Sequence, residues 1–321
     1  MGKFRDYAPA LKYGNKIYPE DLAGMIGLSS VGDVWYVDPG KTSGVSGSGT
    51  SRDDAFLTVT EALAAATADQ DDVILLTPSN STGRTTEAAA IDWSKRRTHL
   101  IGNTGPISLD ARAGMSFSSA VVSPCFTVST RSCIFKNFTM TTSADINVLA
   151  LVTDDYNYFE GVHFAGIGNA TTGDDTAARC LTLTGAEENR FVDCTFGLDT
   201  VARSTTNATV EFTSESSKNV FEGCKFVAYA DNAGALFIKA ASAANIGRYA
   251  LFQKCMFHNA VNSAATAMTT AMSIHAAVGG TVILEDSWVH GATDWSDDFT
   301  AVYVSMVKPD TDEGGILLVA S

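Results

Sequence analysis

The sequence predicts an all-β chain wound into a parallel β-solenoid, and three observations in its second half predict it. The first is a six-residue motif, Φ-x-[G/N/D]-[C/V]-x-[F/M/V]. It reads FKNFTM from Phe135, FEGVHF from Phe159, FVDCTF from Phe191, FEGCKF from Phe221 and FQKCMF from Phe252, with an aliphatic sixth copy, LEDSWV, from Leu284. The second is its spacing: successive copies start 24, 32, 30, 31 and 32 residues apart. Repetition at such a period is the signature of a chain that stacks one supersecondary unit on the next. The third is a companion segment of alternating apolar residues. It reads Phe126-Thr-Val128, Leu149-Ala-Leu151, Leu181-Thr-Leu183, Val210-Glu-Phe212, Leu236-Phe-Ile238 and Met272-Ser-Ile274, with a last one, Val302-Tyr-Val304, after the sixth copy. Alternation at period two marks a half-buried strand.

Within each motif the residue types define a corner and a core. Third positions are Asn137, Gly161, Asp193, Gly223, Lys254 and Asp286. Gly, Asn and Asp tolerate a left-handed backbone, so a corner is expected there, with Lys254 as the exception. Phe159, Phe191, Phe221 and Phe252 open the motif and form one expected internal ladder. Phe164, Phe196, Phe226 and Phe257 close it and form a second, with Cys194, Cys224 and Cys255 as a third column between them. Stacked positions in such a solenoid lie one strand spacing apart, about 4.8 Å. The cysteines are read as reduced core filler, because thiols pack as small hydrophobes.

Upstream, residues 34–78 read as the entry to the stack. Tyr36-Val37-Asp38 is a strand and Gly40–Thr50 a Gly/Ser-rich loop. Phe56-Leu57-Thr58 leads into an alanine-rich helix that Thr58 or Thr60 caps, with Glu61 in its first turn. A helix there covers the open end of the stack, which is otherwise an exposed β edge. Val73–Pro78 is the next strand, and segments 98–108 and 119–140 supply early coils, for eight or nine rungs in all.

The entry segment and the repeat together resemble the right-handed parallel β-helix proteins of the pectate-lyase-like superfamily, over about residues 33–307. The proline usual before Phe56 is Ala55 here. The resemblance implies a right-handed single-stranded parallel β-helix with an N-terminal capping helix. The expected divisions are an N-terminal arm at 1–32, cap and first coil at 33–78, β-helix at 79–307 and a C-terminal tail at 308–321.

Composition narrows the function. The chain of 321 residues carries 22 Lys+Arg against 36 Asp+Glu, a formal charge of −14. Nucleic-acid binding requires a basic stripe and is not expected. No apolar run is long enough to span a membrane, and residues 1–30 lack an export signal, so synthesis in a bacterial cytosol is expected. The Met1-Gly2 start has Asp6 where myristoylation requires Ser or Thr. Scattered histidines and the absence of C-x-x-C make metal or cofactor binding unexpected. The four N-x-[S/T] sequons are read as chance.

Enzymes of this fold cleave polysaccharides with side chains projecting from one sheet. Inverting hydrolysis needs two carboxylates about 6.5–9.5 Å apart. The outward columns were therefore read for such a set. The companion column is Thr127, Ala150, Thr182, Glu211, Phe237, Ser273, Tyr303. Beside the first motif residue runs Lys136, Glu160, Val192, Glu222, Gln253, Glu285, and a third column runs Thr139, His163, Thr195, Lys225, Met256, Trp288. Glu160 and Glu222, two rungs apart, are the nearest approach to a catalytic pair. Acidic pairs such as Asp154-Asp155, Asp174-Asp175, Glu187-Glu188 and Asp297-Asp298 read as solvated turns. Trp288 and Trp295 suit either a sugar or the packing of an end cap.

No catalytic set emerges. The expectation is a non-enzymatic virion protein, a capsid decoration or head-fibre protein of a tailed phage. Trimerisation, carried over from phage β-helices, is expected with it. The alternative is a tailspike or polysaccharide depolymerase, or a carbohydrate-binding adhesin, with a host-surface glycan as partner. Residues 1–32 fall outside the repeat yet hold Phe4, Tyr7, Leu11, Tyr13, Ile17 and Tyr18. They read either as a segment folded against the solenoid's side or as an anchoring arm for a capsid or other virion protein, and anchoring is the role expected of those six side chains.

Overall fold

A computed structural model describes residues 23–24, 27–28, 31–41, 44–78, 84–105, 113–118, 121–259, 265–298 and 300–304. The six side chains of the expected anchor and the tail at 308–321 lie outside them. The chain is a right-handed parallel β-helix. Eight complete coils each contribute one strand to a ten-stranded sheet (sheet 1), a nine-stranded sheet (sheet 2) and an eight-stranded sheet (sheet 3), in that order. Neighbouring strands pair in parallel and in register from coil to coil, as Phe159 with Phe191, Phe164 with Phe196, and Leu181 with Val210.

The motif is the edge where sheet 1 becomes sheet 2. Its first residues lie in sheet 1, as Tyr158–Glu160, and its last in sheet 2, as His163–Ala165. All six third positions have positive φ, between 48° at Asp286 and 64° at Gly223. Lys254 conforms at 54°. The rung-to-rung hydrogen bonds that run through the corner explain this: Lys254 N–H donates to Glu285 O at 2.8 Å, as Asp193 N–H does to Glu222 O. Stacking overrides the residue's own preference, which is worth about 1–2 kcal/mol. The alternation of Gly with Asn or Asp also has a cause. A Cβ at Gly161 would stand 2.8 Å from Asn137 Oδ1, and one at Gly223 would stand 2.4 Å from Asp193 Oδ1.

Inside, both expected phenylalanine ladders form. Rings of Phe135, Phe159, Phe191, Phe221 and Phe252 stack at 4.7–4.8 Å, and those of Phe164, Phe196, Phe226 and Phe257 at 4.5–5.0 Å. The cysteines between them are buried and free. Cys224 and Cys255 thiols donate to Phe191 O and Phe221 O of the preceding coil, and Ser287 repeats the contact to Phe252 O at 3.0 Å. Burial beside two other thiols holds Cys224 well above the ordinary thiol range.

Helix α1 (Val59–Ala65) closes the N-terminal end, with Val59, Ala62 and Leu63 buried. Thr58 is its N-cap and completes a capping box with Glu61. Buried Glu87 adds a second carboxylate: it accepts from Val59 N at 2.8 Å and from the Thr60 hydroxyl at 2.6 Å, tying the helix to the first coil.

The companion register differs from expectation in three places. Ala150 pairs with Phe126, so Leu151 takes the outward place beside Thr127. Ile238 pairs with Val210, which puts Lys239 beside Glu211 and leaves Phe237 buried. Both segments are apolar at consecutive positions, so alternation alone does not fix their register. Val302–Val304 belongs to sheet 1, pairing with the strand at Thr281–Glu285, while the last companion strand is Ala292–Ser296. The outward companion column is therefore Thr127, Leu151, Thr182, Glu211, Lys239, Ser273.

A second apolar cluster lies outside the helix, on sheet 1. Val73, Leu75 and Ile101 are covered there by Leu28 and Val31. Leu28 and Val31, of segment 1–32, thus pack against the solenoid's side.

Candidate functional site

Sheet 2 carries a groove of about 530 Å³ on its outer face. Its floor is the third outward column read from the sequence, extended by two coils at the N-terminal end. Arg84 pairs with Gly114, Gly114 with Thr139, and Thr139 with His163, each one rung on. The wall is built by connections from sheet 2 to sheet 3, including Ser143, Gly168 and Leu198–Thr200. These loops roof the column: Thr139 and His163 point outward from the sheet yet are 0% and 2% exposed.

A short helix, α2 (Ala170–Gly173), stands in one of these connections, capped by Asn169, whose side chain accepts from Thr172 N. Buried Arg203 anchors the next one. Its guanidinium donates to Asn207 Oδ1 and O, Thr209 Oγ1 and Leu236 O at 2.6–3.0 Å. Burial pulls its pKa down to about 10. The loop that brings Asp199 to the groove is thereby fixed at its base.

Among the described residues that line it, the groove's chemistry is cationic and hydroxyl-rich with one acid, Asp199. Half-buried Arg84 is lowered from its usual range by burial but stays protonated at neutral pH. His163 Nε2 lies 2.9 Å from Gly197 O, and a carbonyl can only accept, so Nε2 carries the proton and Nδ1 the lone pair. Burial holds His163 below its ordinary pKa, with Arg84 lowering it further and Asp199 opposing. The Thr139 hydroxyl is buried with no hydrogen-bond partner among the described residues. An orphan hydroxyl in a groove also lined by a guanidinium and other threonines suits a hydroxyl- or carboxylate-bearing ligand.

His99, also buried, is shifted down by burial as well. Both histidines are neutral in the fold, whereas in the unfolded chain they take up a proton below about pH 6.5. Stability is therefore complete above pH 6.5 and falls as pH drops below it, by up to about 1.4 kcal/mol per pH unit for each histidine. Urea titrations at pH 7.5 and 5.5 measure the slope. His163→Gln should reduce it, and an unchanged slope would contradict a neutral buried imidazole.

Glu160 and Glu222 do not reach this groove. They project from sheet 1, and each is paired with a base: Lys136 Nζ lies 2.8 Å from Glu160, and Arg190 contacts Glu222. Burial works against ionisation of Glu160, but hydrogen bonds from Lys136 and Tyr158 outweigh it and hold its pKa below the usual value. Glu160, held ionised beside Lys136, is no general acid. The loop acids are turn residues: Asp155 Oδ1 accepts from Glu187 N, Lys218 bridges Glu187 and Glu188, and Asp298 Oδ1 accepts from Thr300 N. Among the described residues no three metal-ligating side chains cluster. Trp295 packs on Phe257 in the core, while Trp288 is 48% exposed further along the sheet 2 column. The sequence places Thr139 and His163 in one outward column, where no cluster was expected. Arg84, in a coil without the motif, and Asp199, in a non-repeating loop, lie outside the columns read from it.

Comparison with solved structures places this geometry in the pectate-lyase-like parallel β-helix fold. Pectin methylesterase PemA from Erwinia chrysanthemi superposes with a TM-score of 0.58 at 14% identity, covering 88% of this chain and 92% of that one. A rhamnogalacturonan lyase gives 0.58 at 13% identity, covering 85% and 73%. The ORF18 protein of Geobacillus virus E2 gives 0.51 at 12% identity, covering 92% of this chain and 53% of that one. These likenesses define the fold. No protein-family model and no curated protein matches the sequence.

Proposed function

We propose that the chain is a phage virion surface protein whose β-helix is a rigid body carrying a glycan-binding groove on sheet 2. The observation that carries this reading is the groove itself, where the Arg84 guanidinium and the orphan Thr139 hydroxyl stand within one concave, largely pre-formed surface. Two structural neighbours are named for pectin and rhamnogalacturonan, and a third is a viral protein, which supports both halves of the proposal. Binding is favoured over cleavage because, among the described residues lining the groove, Asp199 is the one carboxylate, whereas hydrolysis of a glycosidic bond ordinarily uses two.

Arrays of bacterial capsular, O-antigen and pectic oligosaccharides test the proposal. Binding is expected to at least one class, and Arg84→Ala should weaken it about tenfold or more without changing the melting temperature. Absence of binding across all classes would sink the glycan reading. Release of reducing ends or unsaturated products, abolished by Asp199→Asn, would replace binding with catalysis. Mass spectrometry of purified particles tests the virion assignment.

A further inference from the structure

Beyond the groove, the outer face of sheet 2 runs on into the last two coils, and there two histidines meet. The pairing register aligns Val227 with His258 and His258 with His290. Phe226 and Phe257 of the internal ladder precede the first two, and side chains alternate along a strand, so this column faces outward. The imidazoles of His258 and His290 stand 5.0 Å apart, centre to centre, with 19° between their planes. His290 is exposed and His258 part-exposed. Neither lines the groove. Their strands lie three and four rungs from that of His163, about 14 and 19 Å at the usual strand spacing. The two residues are 32 positions apart in the chain, and only the winding of the coils brings them together.

Two solvent-facing imidazoles at this separation are placed to chelate. With metal–nitrogen bonds of about 2.0–2.1 Å, two rings on one tetrahedral or square ion have centres about 4.5–5.2 Å apart. The stacked strands already set that separation, and what remains is rotation of the rings about their own side-chain bonds. Imidazole nitrogen suits copper, nickel and zinc, with Cu2+ held most tightly among the divalent ions. Met256, aligned with Trp288 in the adjacent outward column, adds a soft thioether to the same face. We propose that His258 and His290 bind a transition-metal ion, Cu2+ before Ni2+ or Zn2+, with water in the remaining positions. The ion clips the last coil of sheet 2 to the one before it. Trp288–His290 is the terminal strand of sheet 2 among the described residues, so it has a neighbour on one side only. The end of a stack is where it opens most readily. An ion whose two donors meet only in the folded chain favours the folded state.

Calorimetric titration of the EDTA-treated full-length protein with CuCl2 tests the site. One site is expected, weakened at least tenfold in His258→Gln and in His290→Gln, with NiCl2 and ZnCl2 binding there less tightly. Copper should also quench tryptophan fluorescence. Trp288→Phe should remove most of that quenching, because Trp288 shares the outer face with His290 two residues away. At a hundredfold excess over Kd, copper should raise the melting temperature by about 3–5 °C in the native protein and leave the His258→Gln/His290→Gln double variant unmoved. Without metal the two proteins should melt alike. Absence of binding, or equal affinity in the native protein and the double variant, would overturn the proposal. Binding that is lost in the variants yet never raises the melting temperature would overturn the clip.

Discussion

Phe221→Ala lowers the stability of the folded chain by about 3–5 kcal/mol, the range for an aromatic ring removed from a packed core. Phe221 is fully buried, and its ring stacks on Phe191 at 4.7 Å and Phe252 at 4.8 Å while meeting the edges of Phe196 and Phe212. Neither neighbouring rung can collapse into the void, because strand spacing is set by the backbone hydrogen bonds of three sheets. In a stack whose units touch only their neighbours, weakening a central coil also weakens the coupling between the two ends. Urea denaturation should show a lower midpoint. A reduced m-value would mean that the halves separate before either unfolds. By contrast Trp288→Ala, on the outer face, should change stability by less than about 0.5 kcal/mol. A loss at Phe221 no larger than at Trp288 would contradict the ladder.

What was legible in the sequence follows from what repeats. Corner positions, both phenylalanine ladders and the cysteine column recur once per coil, so their residue types converge and can be read by alignment of the chain with itself. Even Lys254, whose type argued against a corner, was placed by its register among five conforming copies. Features of one coil alone stayed hidden. Arg84 stands in the strand Arg84–Glu87, whose sequence RTTE has no counterpart in the motif. Asp199 stands in a connection whose length differs from coil to coil, and the groove wall is made of such connections. The same asymmetry explains Glu160 and Glu222. Their column and their two-rung separation were read correctly, but only the structure places each beside a base, away from the sheet 2 groove.

Register was the other limit. Alternation defines inward and outward positions only where apolar and polar residues strictly alternate. Leu149–Leu151 and Leu236–Ile238 are apolar throughout, and hydrogen bonding to the neighbouring coil decides which residue stacks on which. The correction has a chemical consequence. With Lys239 beside Glu211, and Arg179 2.8 Å from the same carboxylate, sheet 3 carries a three-residue ion network that the sequence columns did not contain.

Asn189→Ala should cost about 1–3 kcal/mol, although no motif column contained this residue. It stands two positions before Phe191, and the same place holds Asn157 before Phe159 and Asn219 before Phe221. The three form a ladder at the turn from sheet 3 to sheet 1. Asn157 N–H donates to Asn189 Oδ1 at 2.8 Å, and Asn189 N–H donates to Asn219 Oδ1 at 3.1 Å. Each amide group also donates to turn carbonyls, Asn189 to Asp154 O and Glu187 O at 3.2 Å. All three asparagines are essentially inaccessible to water. Alanine at 189 therefore strands the buried Asn157 N–H, whereas Asp154 O keeps Asn157 Nδ2 and Glu187 O keeps Tyr156 N–H; an orphaned buried group costs about 1–3 kcal/mol where water cannot replace the partner. The ladder begins at Cys133, whose N–H donates to Asn157 Oδ1 at 3.0 Å, and ends where Asn219 meets Ala250 in the next coil. Asn157→Ala should cost a similar amount. The double variant should lose less than the two single losses added together, because the bond between the two residues is counted in both. Strict additivity, or a loss below about 1 kcal/mol at Asn189, would mean that water reaches the turn and that the phenylalanine stack alone holds the coils together.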